Sequence, residues 1–122
     1  MLVSFACVAP APARDGDDGG GADVRRAGHC SAGTTSQLRL RARDGAIRVE
    51  FEVRRRHGGE AWRVVIVHER RVAVRAVART RSSSGSFRVR RSLHDLDGPD
   101  RITARASGPR GLWCEASAML AG

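Results

Sequence analysis

The chain contains no lysine and no tyrosine, and aromatic residues fill only 4% of its 122 positions. Each absence excludes something. With aromatics this scarce, a core must be built mainly from Val, Ile, Leu and Ala, supplemented by Trp62, Trp113, Phe51 and Phe87. Without aromatics interleaved among the basic residues, the chain lacks the stacking platform that single-stranded nucleic acids use. Without lysine, every basic side chain is arginine, 22 of them against 13 acidic residues, for a net charge of +9. An all-arginine basic set with heavy use of Ala, Gly and Val marks a GC-rich coding genome as much as a function. Net charge bears on solubility and on attraction for polyanions, not on fold.

Metal-ligand patterns are also missing. His29, His57, His68 and His94 are far apart in sequence, and there is no Cys-x-x-Cys or His-x-x-x-His. The stretch Asp15-Gly-Asp17-Asp18-Gly-Gly20 approaches a calcium loop, but Gly19 and Arg26 stand where the fifth and last ligands belong. No metal and no cofactor is expected. Ser82, Ser83 and Ser84 have no elbow motif and no neighbouring His. Glu50 and Glu52 share one strand face, but nearby arginines would lower their pKa values, the wrong direction for a general acid. Salt bridging to Arg39 is the simpler role. His94-Asp95 reads as a solvated pair beside a turn, and His68 as a rim histidine. Enzymatic activity is therefore not expected.

What is present begins with an uncharged, mostly apolar stretch from Leu2 to Ala13, ending in Ala11-Pro12-Ala13. This fits the cleavage end of a secretory signal peptide whose basic start is missing, so residues 1–13 read as a truncated signal peptide. The stretch is too short to cross a bilayer as a helix. Ser4-Phe5-Ala6-Cys7 only loosely fits a lipoprotein processing site, because too few residues precede Cys7. Cleavage after Ala13 leaves two cysteines, Cys30 and Cys114, and an even count in an exported chain implies a disulfide. A bridge closing a loop this long contributes roughly 4 to 5 kcal/mol in the chain-entropy model, as an upper figure. Residues 14–29 form a Gly/Asp-rich stretch without apolar period, expected as a disordered linker. Residues 30–119 are expected as a single domain.

Within that domain the period is two. Leu38, Leu40 and Ala42 alternate with arginines, Asp44-Gly45 marks a hairpin turn, and Ile47, Val49, Phe51 and Val53 alternate with charged residues. A two-residue turn sets Leu40 against Val49, Leu38 against Phe51, Arg39 against Glu50 and Arg41 against Arg48. The last of these pairs is unfavourable. Residues 61–68 are apolar at nearly every position, the mark of a central strand. A three-residue loop over 69–71 keeps the next strand in phase with it. Arg81 to Gly85 connects, crossing between sheets, to a strand carrying Phe87, Val89 and Leu93. Further strands follow around 102–106 and 112–118. About seven strands with turns every 8 to 12 residues predict an all-β, antiparallel β-sandwich, immunoglobulin-like only in the broad sense, with one disulfide.

These residues resemble a family of small exported actinobacterial proteins without assigned function. The resemblance rests on the early Cys, Ile47-Arg-Val-Glu-Phe-Glu-Val53, Trp62-Arg-Val64, Ser84-Gly-Ser-Phe87, Asp100-Arg-Ile-Thr-Ala-Arg-Ala106 and the late Cys. It covers about residues 30 to 118. It implies a fold and export, and brings no activity with it. The chain departs from it at the truncated leader and at Gly111-Leu-Trp113.

The expectation is a secreted or cell-envelope-associated, noncatalytic binding or structural module, with no transmembrane span. Specificity would sit in the end loops 55–60, 69–71, 80–86, 94–100 and 107–112. The alternative is a polyanion binder, for nucleic acid or acidic polysaccharide, acting through Arg54, Arg55, Arg56, Arg88 and Arg90. Export disfavours nucleic acid as the partner. Against any such patch stands a plainer cause: strand faces in water must be polar, and here arginine supplies that polarity.

Overall fold

The computed structural model describes residues 22–121. Nine strands are present among them: β1 Asp23–Ala27, β2 His29–Cys30, β3 Thr35–Arg43, β4 Ala46–Arg54, β5 Ala61–His68, β6 Arg71–Arg79, β7 Ser86–His94, β8 Asp100–Ser107 and β9 Trp113–Leu120. They form a four-stranded sheet in the order β1-β3-β4-β7 and a five-stranded sheet in the order β2-β9-β8-β5-β6. All pairings are antiparallel. The leader at 1–13, Cys7 and the Asp15–Gly20 stretch lie outside the described residues.

The β3–β4 hairpin has the register expected from its turn. Leu38 faces Phe51, Leu40 faces Val49, Arg39 faces Glu50 and Arg41 faces Arg48. Asp44 and Gly45 both take positive φ, 49° and 76°, as a two-residue turn matching strand twist requires. One face of each strand is then apolar and buried, and the two sheets close those faces on each other.

The sheets fill the core unequally. The four-stranded sheet supplies Leu38, Leu40, Ile47, Val49, Phe51, Val53, Phe87 and Val89. The five-stranded sheet supplies Ala104, Ala106, Cys114, Ala116 and Ala118 around Trp62, Val64 and Ile66, with Ile102 and Leu120 beside them. Small side chains on one layer leave room for large ones on the other, and for the fully buried indole of Trp62. That indole lies 5.9 Å from the Phe87 ring and packs against the backbone at Gly108, where a Cβ would sit 2.7 Å from Trp62 Cδ2.

Four expectations are corrected. There are nine strands, not about seven, because the stretch expected as linker through residue 29 contributes β1 and the two-residue β2. Of β1 only Val24 is partly buried, so the strand has no apolar alternation to betray it. It is held by its backbone ladder to β3 and by Asp23, whose carboxylate meets Arg39 at 2.7 Å. The domain therefore starts before residue 30, and β9 carries it to Leu120, one past the expected end. Between β1 and β2 the chain passes from one sheet to the other at Gly28, where a side chain would lie 2.8 Å from the Glu115 carbonyl. Finally, the β5–β6 turn has two residues, not three. Glu69 and Arg70 occupy it with φ of 50° and 71°, and a bulge beyond Ile66 restores the phase. Ile66 thus faces Val74 as expected, while Val72 pairs with Val67 on the outer face.

The Cys30–Cys114 disulfide joins β2 to β9 within one sheet. Ser31 N donates to Trp113 O on the next pair. Cys30 and Cys114 therefore occupy a non-hydrogen-bonded pair, where facing side chains come closest. Among the described residues no helix is long and apolar enough to cross a membrane.

Candidate anion-binding face

The outer surface of the four-stranded sheet is a grid of charges set by strand register. One row reads Arg25, Arg39, Glu50, Arg90 across β1, β3, β4 and β7. The row on one side reads Ala27, Gln37, Glu52, Arg88, and on the other Asp23, Arg41, Arg48, Ser92. Alternation forces this arrangement: once the apolar set faces the core, every intervening residue faces water.

The acids of the grid are fully engaged. Arg88 bridges Glu50 at 3.0 Å and Glu52 at 3.3 Å. Arg90 also reaches Glu50, and Arg54 reaches Glu52, both at 3.5 Å. Arg39 faces Glu50 in register, but its ion pair is with Asp23, not with Glu50 as expected. The hydrogen bond from Arg39 holds the Asp23 carboxyl below its ordinary pKa.

Arg41 and Arg48 differ. They face each other across β3 and β4, and among the described residues neither is ion-paired; Asp23, opposite Arg41 on β1, spends its carboxylate on Arg39. With Arg39, Arg88, Arg90 and Arg91 they line an open hollow of about 590 Å³. Guanidinium groups present fixed forks of N–H donors that match carboxylate, sulfate and phosphate oxygens. Two facing guanidiniums without a carboxylate repel each other, and an anion between them removes that cost.

The five arginines named from sequence are dispersed by the fold. Arg54, Arg88 and Arg90 lie on this face and are tied to Glu50 or Glu52. Arg55 is turned inward: its side chain is only 13% exposed and its Nε donates to Glu60 Oε1 at 3.2 Å. Arg56 is exposed at one end of the sandwich, in a turn with φ of 71°. The residues that sequence reasoning passed over, Arg41, Arg48 and Arg91, complete the hollow. The signal was present for two of them, since the hairpin register already set Arg41 against Arg48.

The groups weighed for catalysis are also placed. Ser82 to Ser84 lie before the start of β7 and His94 closes it, so the length of the strand separates them. His68 is buried rather than at the rim, with Nε2 2.8 Å from Asp100 Oδ1. Asp95 is exposed, and its carboxyl meets that of Asp100, which raises its pKa. Among the described residues no three His, Cys, Asp or Glu side chains converge in a way that could hold a metal ion. Compared with protein families, curated proteins and solved structures, the chain matches none.

Proposed function

We propose that this chain is an exported, noncatalytic binding module that holds a linear polyanion on the outer face of its four-stranded sheet. The observation that carries the reading is the facing pair Arg41 and Arg48, without carboxylate partners among the described residues, in a hollow rimmed by further arginines. The hollow is open, which suits a segment of a long polymer better than an enclosed small anion. Export is supported by the signal-like residues 1–13, the disulfide and the resemblance to exported actinobacterial proteins. That compartment, and the lack of stacking aromatics on the arginine face, favour an acidic polysaccharide over nucleic acid.

The test is retention on heparin, used as a sulfated polysaccharide probe, as a function of salt. Arg41→Gln with Arg48→Gln should flatten the slope of log affinity against log salt by about 2, close to one for each lost contact. Arg56→Gln, at the sandwich end, should leave it unchanged. Elution of the parent protein at low salt, or an unchanged slope in the double variant, would overturn the reading.

A further inference from the structure

Strand β6 is the long edge strand of the five-stranded sheet, opposite the two-residue β2, and its backbone is arranged to take another strand. Thr80 N donates to the Glu60 carbonyl at 2.9 Å, and the Thr80 carbonyl accepts from Gly59 N at 2.8 Å. Thr80 thus turns both backbone groups toward the β5 side. Successive residues of a strand alternate in this respect. Val74, Ala76 and Ala78 therefore face β5, each opposite its partner Ile66, Val64 or Trp62. Arg75, Val77 and Arg79 point their N–H and C=O groups outward, where the sheet has no further strand among the described residues.

Exposed edges are commonly blunted by brevity, proline, bulges or charge, and of these β6 has a bulge at one end and arginines, which oppose pairing with a like-charged strand. Here β6 runs nine residues, without proline, and its core-side positions are Val74, Ala76 and Ala78. The bulge lies near the β5–β6 turn and leaves 74–79 in regular register. Val77 is 72% exposed, and Val72 also lies open to solvent.

Charge selects the occupant. Arg71, Arg75 and Arg79 recur every fourth residue along the edge strand, Arg81 follows, and among the described residues none of the four is ion-paired. Beside the edge, Ala78, Arg79, Arg81, Phe87 and Arg88 line a second hollow of about 490 Å³, whose carboxylate, Glu52, is already ion-paired to Arg54 and Arg88. A second copy of β6 fits poorly, because antiparallel pairing centred on Arg75 or Val77 brings arginine against arginine. We infer that β6 accepts, by edge pairing, an extended strand from an acidic partner polypeptide, with Asp or Glu alternating with apolar residues. Main-chain hydrogen bonds would supply affinity and the arginines the choice of partner.

The experiment uses the whole protein and a short synthetic peptide alternating Glu and Val. Backbone amides are followed by hydrogen exchange. The amides of Arg75, Val77 and Arg79 should gain protection of about tenfold or more, with those of the Arg41–Arg48 face unchanged. Val77→Pro removes an outward N–H that no neighbour uses, which an edge strand tolerates. It should keep the melting temperature within a few degrees and weaken peptide binding at least about tenfold. Should that variant unfold, Arg75→Glu with Arg79→Glu decides instead, by preferring a peptide alternating Lys and Val. Arg41→Gln with Arg48→Gln should bind the Glu–Val peptide as the parent does, which separates this site from the polysaccharide face. The inference is overturned by unprotected β6 amides, by unchanged binding in a folded Val77→Pro protein, or by protection that rises with protein concentration without peptide.

Discussion

Strand β5 has a carboxylate system at each end, part-buried at Glu60 and buried at Asp100, and the two are held in opposite ways. At the start, Glu60 is fully partnered. Its Oε1 accepts from Arg55 at 3.2 Å and from the Trp62 indole at 3.4 Å, its Oε2 accepts from Arg110 at 3.1 Å, and its backbone N–H donates to Thr80 Oγ1. At the other end, Asp100 Oδ1 faces His68 Nε2 at 2.8 Å and accepts from Leu96 N at 3.2 Å, while Oδ2 is buried with no donor among the described residues. The nearby Asp95 carboxyl adds like charge. The Glu60 end is a closed ionic network that locks Trp62 in place. The Asp100 end is a loaded one, with an oxygen to spare. The lesson is that burial alone does not measure what a carboxylate contributes; the count of its donors does.

Breaking the closed end should cost most. Glu60→Gln leaves Arg55 and Arg110 without their counter-charge and is expected to destabilise by about 3 kcal/mol, read as a lower urea midpoint with an unchanged slope. A loss under about 1 kcal/mol would show the network to be surface-like. Next is Gly108→Ala, which pushes a methyl into the Trp62 ring at the same end and should cost about 2 kcal/mol by overpacking. Thr80→Val removes one buried acceptor from the Glu60 backbone and should cost about 1 kcal/mol in thermal melts.

At the loaded end the effects should be smaller or reversed. Asp100→Asn keeps an acceptor for His68 and Leu96 and offers an N–H to Asp95, so it should change stability by less than about 1 kcal/mol. A loss equal to that of Glu60→Gln would erase the contrast between the two ends. The smallest effect is a matter of sign. The Asp95 pKa lies above its ordinary value, chiefly because its carboxyl, once protonated, can donate to that of Asp100. The folded state thus binds that proton more tightly than the unfolded chain. The associated stability is full below the unfolded pKa and is lost as pH rises through the raised value. Asp95→Asn should therefore be at least as stable as the parent at neutral pH, with any advantage closing as pH falls through the carboxylate range. Urea midpoints measured across that range would show it, and a less stable variant at neutral pH would refute the raised pKa.

Much of the fold was legible because strand alternation is a local property. The whole β3–β4 register could be counted from Asp44-Gly45, since a slip of one residue would put Leu38, Leu40, Val49 and Phe51 in water. β1 was illegible for the complementary reason: its stability comes from a ladder and an ion pair supplied by β3, not from its own apolar pattern. The Glu69-Arg70 turn was illegible too, because neither residue is the Gly or Asn that usually marks a positive φ. On the candidate face, the opposition of Arg41 and Arg48 could be read from the hairpin. That Arg55 turns inward could not, because its partner Glu60 is held in place by Thr80 and Arg110, which lie 20 and 50 residues beyond Glu60.

By itself, then, the sequence determined an alternating all-β chain, the register of its central hairpin, and a cysteine pair able to close it. Tertiary structure decided which arginines are consumed and which remain without an ion pair, and which of the two acids flanking β5 is satisfied. The physical reason is that alternation assigns each side chain to a face using only its neighbours along the strand. A charge finds its partner across strands that the chain reaches much later.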